Sequence, residues 1–422
     1  MSEALPQDLT PQHLATLYQI SMLINSTLDF QQALDNVIDA IMQVTRAQRG
    51  FLMLHDEANH TLQVLVARGI DGAEIAAEGY STTIASRVLE TRETILTNNA
   101  EYDPRFSAGQ SIIMRGLRAI LCTPMMVKDR LIGIVYVDTS MKAGVFRSDD
   151  VALLKAVSGI AAQAIENARL FQVAIEKGRL DRELQMGREI QRTLLPRHLP
   201  QTRHYDIASF WEAAREVAGD FYDAFSLGDG RVATVIADVS DKGVPASLFM
   251  AVTRTLIRGN ALAGLPAPEV VRRANDLLTE DAEASGTFVT LFYGELSPSG
   301  RTVQVNAGHN PPLLRRYASK SAEFLPTGGR ALGWFVDNPV RTLELQLQPG
   351  DVIVYYTDGL TDAENPHGIA YGEARLAEAV LRLEDNLNAQ QMCDRLLRDV
   401  LNFCQGNDPF DDLTLLIVRY LG

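Results

Sequence analysis

The sequence has few cysteines and no long apolar segment. Three cysteines, Cys122, Cys393 and Cys404, occur among 422 residues, and their spacing matches no metal-binding motif. A sparse, odd-numbered set is typical of free thiols in a reducing compartment, so we expect no disulfide framework. No apolar run is long enough to cross a bilayer, and the N-terminus lacks the pattern of a secretory signal peptide. These absences predict a soluble, cytoplasmic protein with no membrane partner.

The sequence also lacks an excess of basic residues. Lys and Arg total 39 against 53 Asp and Glu, which gives a formal net charge of -14. A chain of that sign repels nucleic-acid backbones and anionic membrane surfaces, so we expect it to bind neither. Hydrophobic residues make up 46% and charged residues 22%, which excludes a disordered chain and allows sizeable cores. The length predicts two or three domains.

The first part of the chain mixes helical and strand-like patterns. Apolar residues at helical spacing from Leu14 to Ile41 predict amphipathic helices. Lys128-Asp129-Arg130 is predicted to be a hairpin turn between two strands. We therefore predict an α+β domain over residues 1–165, with a central antiparallel sheet and flanking helices. The predicted strands are 50–54, 61–67, 119–127 and 131–137.

A nearly uninterrupted helical pattern begins at Ser148 and continues to the prolines of the next loop. Ser148 is a suitable N-cap, and the two acidic residues after it favour the helix macrodipole. Apolar residues at alternating steps of three and four form a heptad seam, which Lys177, Gly187 and Gln191 weaken. We interpret 166–200 as a helical linker and favour a dimeric coiled coil. The alternative is an amphipathic helix that packs on its own domain.

From residue 201 onward, strands alternate with tight turns. Gly-containing turns at 228–230 and 298–300 each separate two strand-like runs, as in hairpins. The helical patterns come in blocks between the hairpins. This arrangement predicts an α-β-β-α layered sandwich over residues 201–422.

Aspartates occur at four strand ends of this segment. Asp238 and Asp358 each follow a buried strand, and Asp220 and Asp411 each precede one. Strand-end carboxylates from distant parts of a chain are typical of a site for hard divalent cations. A single Asp beside Gly is most often a turn residue, but four at strand ends argue for a shared site. Strand alternation points Asp223 to the opposite face from Asp220, so we interpret Asp223 as structural.

No nucleophile competes with these aspartates. Cys122 has no evident histidine partner, and Ser240 lacks the context of a nucleophile elbow. His309, in the segment 306–312, is either a general acid or phosphate contact, or a turn residue that holds its loop by hydrogen bonds. We favour the turn residue. The sequence contains no phosphate-binding Gly-rich loop.

Five segments of the second half together resemble the SpoIIE-type branch of the metal-dependent protein serine/threonine phosphatases. Their order and spacing agree with that family, and the resemblance extends from about Arg188 to the C-terminus. Ala218 stands where family members usually have the first Gly of Gly-Gly-Asp, which we expect to be tolerated. The segments are 216–223, 237–246, 306–312, 356–363 and 411–414.

The resemblance implies two divalent cations, Mn²⁺ or Mg²⁺, that activate a bridging water. Asp238 would bridge the two ions, and Asp220 and the Val239 carbonyl would bind one of them. Asp358 and Asp411 would hold the other. Two cations lower the pKa of a bound water and offset charge on phosphoryl oxygens. No Arg matches the phosphate clamp of eukaryotic relatives, so phosphate recognition stays unassigned.

The first segment resembles a GAF sensor domain. The similarity lies in 98–106, in 124–138 and in the helical stretch 149–171. Cyclic-nucleotide GAF domains carry Asn-Lys-x-x-Asp where this chain has 107–111, so we do not expect a cyclic nucleotide. The sequence does not identify the GAF ligand or partner.

These expectations combine into a signalling phosphatase. The resemblance implies hydrolysis of phosphoserine or phosphothreonine on a STAS-type anti-sigma-factor antagonist, as in stress-response partner switching. We expect a homodimer through the linker and the GAF domain, with the GAF signal moving the helix that begins at Val244. The alternatives are a non-catalytic partner-switching scaffold and a GAF protein that senses a ligand without changing any rate.

Overall fold

A computed structural model describes the chain at residues 11–24, 27, 29–57, 59–100, 103, 105, 119–140, 146–282, 286–407 and 411–422. The chain divides into two compact units, Met1–Arg179 and Leu180–Gly422. Their boundary falls inside the segment for which the sequence predicts a linker, and the three predicted domain ranges stay a prediction. Within the described residues, no helix is both long enough and apolar enough to cross a bilayer.

The first unit is built on one antiparallel sheet. It contains α1 (Pro11–Ile24), α2 (Phe30–Thr45), β1 (Arg49–Asp56), β2 (Thr61–Gly69), α3 (Thr82–Thr91), β3 (Ile95–Thr97), β4 (Ala119–Val127) and β5 (Arg130–Thr139). The strand order is β2-β1-β5-β4-β3. Apolar residues at helical spacing, such as Leu34, Ile38 and Ile41 of α2, are buried in the core on one face of the sheet. Buried residues of α3 contribute to a second core.

One helix, α4 (Ser148–Leu194), spans 47 residues. In its first part, Leu154 and Val157 are fully buried in the core of the first unit. Farther along, apolar side chains such as Leu170 and Val173 are exposed on the single chain. These residues belong to the predicted heptad seam, and the coiled-coil dimer stays a prediction.

The second unit contains two five-stranded antiparallel sheets. Its strands are β6 (Tyr205–Glu212), β7 (Phe221–Ser226), β8 (Val232–Val239), β9 (Val289–Leu296), β10 (Arg301–Ala307), β11 (Leu313–Arg316), β12 (Ser321–Phe324), β13 (Thr342–Gln346), β14 (Val352–Tyr356) and β15 (Leu413–Tyr420). The first sheet has the order β13-β10-β9-β8-β7, and the second β12-β11-β14-β15-β6. A single 3-10 turn, Gly228–Gly230, connects β7 to β8.

Helices cover the outer face of each sheet in this unit. The helices α5 (Val244–Leu262) and α6 (Ala267–Ala282) pack on the first sheet. The helices α7 (Asp358–Thr361), α8 (Gly372–Leu381) and α9 (Ala389–Cys404) contact the second. The predicted α-β-β-α sandwich and the α+β class are therefore confirmed.

The cores of the second unit lie between the sheets and beneath the helices. Between the sheets, the rings of Phe292 and Tyr355 are buried, with centroids 5.4 Å apart. A second core fills the space between the second sheet and α8 and α9. The three cysteines, Cys122, Cys393 and Cys404, are buried free thiols, as the sequence predicts.

Antiparallel pairing brings distant aspartates to the same end of each sheet. Phe221 pairs with Ala237, so the residue before β7 lies beside the end of β8. Tyr356 pairs with Leu415, so the residues before β15 lie beside the end of β14. Each sheet therefore delivers carboxylates from two separate strands to one edge.

Candidate functional site

Hydrogen bonds from the second sheet fix the carboxylate of Asp220, which belongs to the first sheet. The hydroxyls of Thr357 and Thr414 donate to its Oδ2 atom at 2.6 and 2.7 Å. Asp220 is only 2% exposed, and both threonines are fully buried. Burial, followed by the nearby carboxylates of Asp238 and Asp412, raises the pKa of Asp220 well above its usual value. The two sheets are thus joined at the edge where the predicted ligands lie.

Asp238 carries the strongest sign that these carboxylates are crowded together. Burial, and then the charge of Asp358, raise its pKa to about 7. The carboxylates of Asp411 and Asp412 act in the same direction, while the side chain of Asp220 opposes them. Three other chain segments, which carry Asp220, Asp358 and Asp411-Asp412, therefore place carboxylates near Asp238.

Asp358 begins α7 at the end of β14. Burial, and then the carboxylates of Asp411 and Asp362, raise its pKa, and Lys242 opposes that shift. The next residue, Gly359, has no room for a side chain, because a Cβ there would lie 2.1 Å from the carbonyl oxygen of Asp412. The glycine after Asp358 is therefore required by the close approach of the backbone before β15.

The adjacent aspartates before β15 have different contacts. The carboxylate of Asp412 accepts hydrogen bonds from the backbone N–H groups of Ala214 and Gly219, both at 2.9 Å, and from that of Asp220 at 3.4 Å. Asp412 therefore ties the segment before β7 to the start of β15. The Oδ2 atom of Asp411 instead accepts from the ammonium of Lys242 at 2.8 Å. The charge of Asp411 acts on Asp358 and Asp238, and that of Asp412 acts on Asp220 and Asp238.

The carbonyl of Val239 lies against Gly219. A Cβ on Gly219 would come within 2.9 Å of that oxygen, so the glycine permits the contact. The backbone of Ala218 is held on both sides by Gln191 near the end of α4. Gln191 Nε2 donates to the Ala218 carbonyl at 2.7 Å, and the Ala218 N–H donates to Gln191 Oε1 at 3.0 Å. The methyl group of Ala218 is fully buried.

Asp223 lies away from the carboxylate cluster. It forms ion pairs with Arg254 and Arg258 of α5, each at 2.9 Å. Burial raises its pKa despite the two guanidinium groups. Its contacts are those of a structural residue, as strand alternation from Asp220 suggests.

His309 is buried and locked into its loop. Its N–H donates to Asn306 Oδ1 at 2.8 Å, its carbonyl accepts from Asn306 Nδ2 at 3.0 Å, and its Nδ1 atom lies 2.8 Å from the hydroxyl of Thr290. Burial lowers its pKa to about 4, against an opposing contribution from the Tyr356 carbonyl. The imidazole is therefore neutral near pH 7, which fits the turn residue that the sequence favours over a general acid.

Lys242 is a residue that the sequence reasoning missed. It lies between Asp241 and Gly243, both at positive φ, so the loop after Asp238 turns sharply. This turn brings the ammonium to Asp411. A lysine within the acidic segment after β8 was the available signal.

The donor set fits a pair of hard cations in its chemistry. The predicted ligands are carboxylate and carbonyl oxygens, which Mg²⁺ and Mn²⁺ prefer. Within the described ranges, no three His, Cys, Asp or Glu side chains are placed to hold one ion together. Instead, the ammonium of Lys242 contacts Asp411. The neighbouring carboxylates raise the pKa values of Asp238 and Asp358, and divalent cations would offset this negative charge. The residues therefore suit the two ions in two ways: their ligand atoms are oxygens, and their carboxylates lie close enough together to raise one another's pKa values.

Two family models match the chain. "Stage II sporulation protein E (SpoIIE)" matches residues 228–421, and "GAF domain" matches residues 27–166. The first range covers the sandwich from the turn after β7 to β15, and it begins after β6, β7 and Asp220. The second range begins just before α2 and ends within α4.

Curated relatives and a solved structure agree with the two models. Protein IcfG of Synechocystis sp. is 33% identical over 56% of this chain and 41% of its own length. Phosphoserine phosphatase RsbU of Bacillus subtilis is 27% identical over 66% of this chain and 81% of its own length. The SiaA-PP2C domain of Pseudomonas aeruginosa, at 20% identity and a TM-score of 0.50, covers 58% of this chain and 99% of its own, and shares the fold. The chain therefore spans less than half of IcfG and most of RsbU, and it combines a region that matches the GAF domain model with a region that matches the SpoIIE model.

Proposed function

We propose that this chain hydrolyses phosphoserine or phosphothreonine on a signalling protein. The observation that carries the proposal is the mutual electrostatic effect of carboxylates from four separate segments at one end of the sandwich. Such crowding is costly unless cations offset it. Two divalent cations, Mn²⁺ or Mg²⁺, would be held by Asp220, Asp238, Val239, Asp358 and Asp411.

The chain's own residues prepare this site. When bound, the cations supply a water of lowered pKa and offset charge on the phosphoryl group. Thr357 and Thr414 hold Asp220 in one orientation, and Asp412 fixes the backbone beside it. Asp238 must lose its proton before it can bind a cation, so cation affinity should weaken as the pH falls below about 7.

Lys242 is the residue that we assign to phosphate recognition. Its side chain is 32% exposed, and its ammonium contacts Asp411. A cation at Asp411 would displace the ammonium, because both are positive and share one carboxylate. The long, flexible lysine stem allows the ammonium to reach a phosphoryl oxygen, for which a lysine acts as a point charge. Lys242 would then bind the phosphate in place of the arginine clamp of eukaryotic relatives, which this sequence lacks.

A phosphorylated STAS-type protein is the proposed substrate. Support comes from the resemblance of the sequence to partner-switching phosphatases and from the name of RsbU, a phosphoserine phosphatase. A protein substrate can reach this site, because the side chains of Lys242 and Asp411 are 32% and 34% exposed.

Regulation is proposed to pass through α4. Gln191 in its last turn holds both backbone polar groups of Ala218, two residues from Asp220. A change in the pairing of α4 within a homodimer would therefore move the segment that carries Asp220. The helix α5 begins beside Asp238 and offers a second route. A signal at the GAF domain would shift the population between a state in which the ligands are placed to bind the cations and a state in which they are not.

Metal-dependent phosphate release from a phosphorylated STAS-type protein tests the proposed function. Wild-type chain with Mn²⁺ or Mg²⁺ should release phosphate, and chelation should stop it. Asp358→Asn should reduce the rate at least 100-fold, whereas Asp394→Asn, on the exposed surface of α9, should leave it unchanged. A wild type that binds the phosphoprotein but never releases phosphate would favour the non-catalytic scaffold. Ligand binding to the GAF domain without any change in rate would favour the ligand sensor.

A further inference from the structure

A row of aromatic side chains, two exposed and one half-buried, lies on the second unit. Phe288, Trp334 and Phe335 form this row, which we call the aromatic platform. The rings of Phe288 and Trp334 stack with centroids 4.5 Å apart, and those of Trp334 and Phe335 with centroids 5.9 Å apart. Trp334 is 59% exposed and Phe335 40% exposed. Single exposed apolar residues are ordinary, but a contiguous aromatic row is typical of a binding surface, where tryptophan is enriched among the residues that dominate affinity.

The loop that carries Trp334 is held in place from below. The Nδ2 atom of Asn275, a buried residue of α6, donates to the carbonyl of Phe335 at 2.9 Å, and the N–H of Gly333 donates to Asn275 Oδ1 at 3.2 Å. Backbone hydrogen bonds in both directions join Leu332 to Val289. A platform fixed before binding loses little conformational entropy when a partner arrives.

The platform is continuous with the carboxylate site. The N–H of Ser240 donates to the carbonyl of Phe288, and the N–H of Phe288 donates to Ser240 Oγ. Ser240 lies two residues after Asp238, and Asp238 pairs with Thr290, two residues after Phe288. The backbone of Phe288 is therefore about 7 Å from that of Thr290, the partner of Asp238, at about 3.4 Å per residue.

A platform at this distance lies outside the reach of the phosphoryl group itself but within reach of the surface around it. Its rings are apolar, and the guanidinium of Arg330 lies over the ring of Phe335, 4.8 Å from the ring centroid. A protein substrate presents apolar side chains beside its phosphorylated residue, whereas a phosphorylated amino acid does not.

We propose that the aromatic platform binds an apolar side chain of the phosphoprotein substrate and so selects which phosphoprotein is hydrolysed. This inference rests on the proposed function and adds a surface that recognises the substrate's own fold. Trp334 is its central residue, because it stacks on both neighbours. It acts on binding, not on the reacting atoms, so its removal should raise KM more than it lowers kcat.

Hydrolysis of two substrates by the full chain tests the inference. One is a phosphorylated STAS-type protein, and the other is a phosphothreonine peptide whose remaining residues are glycine and serine. For Trp334→Ala, we expect kcat/KM for the phosphoprotein to fall at least 10-fold further than kcat/KM for the peptide. Trp334→Phe keeps an aromatic face and should retain most of the activity. Leu401→Ala, which removes an apolar side chain of similar exposure from α9, is the matched control.

Fluorescence supplies a readout that does not need turnover. Trp211 and Trp334 are the two tryptophans of the chain. In an Asp358→Asn background, adding the phosphoprotein should change the tryptophan emission, and Trp334→Phe should remove most of that change.

Several results would overturn the inference. Equal losses on both substrates would show that Trp334 only shapes the site, and an unchanged phosphoprotein KM in Trp334→Ala would show that the platform does not bind it. A dimer that dissociates in Trp334→Ala with unchanged KM would assign the platform to a contact between copies. If the wild type hydrolyses neither substrate, the proposed function has failed, and the fluorescence titration still decides whether the platform binds the phosphoprotein.

Discussion

The stability of the metal-free protein should fall as the pH rises, because its carboxylates are crowded. The folded pKa of Asp238 is about 7, against about 3.9 in an unfolded chain. A raised folded pKa means that the proton is held more tightly in the folded state. The resulting stability is fully present below the unfolded pKa and is lost as the pH rises through the folded pKa. A shift of about three pKa units corresponds to about 4 kcal/mol, of which roughly a third is lost by pH 5 and the rest by pH 8.

Urea unfolding in the presence of a chelator measures this loss. Both tryptophans, Trp211 and Trp334, belong to the second unit, so their fluorescence follows that unit without interference from the first. Wild-type protein should lose about 2–3 kcal/mol between pH 5 and pH 8 from Asp238. Asp220, Asp358 and Asp412 have raised pKa values and act in the same direction.

The variant Asp238→Asn is the decisive comparison. A neutral amide mimics the protonated acid, so the variant should be more stable than wild type at pH 8 and nearly equal to it at pH 4. Saturating Mn²⁺ should flatten the pH dependence of wild type, because the cation replaces the proton. A wild type whose stability is constant or rises from pH 5 to pH 8 in chelator would refute this reasoning, as would an equal slope in the variant.

Three substitutions probe how the site is held. Thr414→Val removes one hydroxyl donor to Asp220; a hydrogen bond to a charged group contributes about 1.5–3 kcal/mol, so Mn²⁺ affinity in a titration should fall by roughly 10- to 100-fold. Gln191→Ala leaves the N–H and the carbonyl of Ala218 without their partners, and it should lower kcat and cost about 1–3 kcal/mol in urea unfolding. Gly359→Ala forces a methyl group against a backbone oxygen at 2.1 Å, and it should cost about 1–3 kcal/mol or more and abolish phosphate release.

Matched controls separate these effects from general damage. Thr255→Val removes a hydroxyl from the exposed face of α5, and Gly228→Ala adds a methyl group where nothing lies within 4 Å. Both should behave as wild type in metal titration and in phosphate release. Wild-type Mn²⁺ affinity in Thr414→Val, or full activity in Gly359→Ala, would contradict the contacts described for the site.

The sequence predicted the layers and the strand ends because both follow from local pattern. Buried runs such as 352–356 and 232–237 fix the strands, and antiparallel pairing then places the residues at their ends side by side. Because side chains alternate between the two faces of a strand, the sequence also predicted that Asp223 points away from the face that carries Asp220. These predictions need only periodicity and turn chemistry.

The supporting contacts could not be predicted, because they join segments that are distant in sequence. Thr357 and Thr414 reach Asp220 across the sandwich, and Lys242 reaches Asp411. The heptad pattern predicts only that Gln191 weakens the seam, whereas its side chain is 4% exposed and bound to the backbone before β7. The role of a polar residue in an apolar seam can be inferred only when its hydrogen-bond partner is known.

Calorimetric titration of the full chain with Mn²⁺ tests the central claim most directly. If Asp220, Asp238, Asp358 and Asp411 form one site, wild type should bind two ions per chain at pH 8, and Asp238→Asn, which removes the bridging carboxylate, should lose both. Absence of binding by wild type, or unchanged stoichiometry and affinity in Asp238→Asn, would contradict the account.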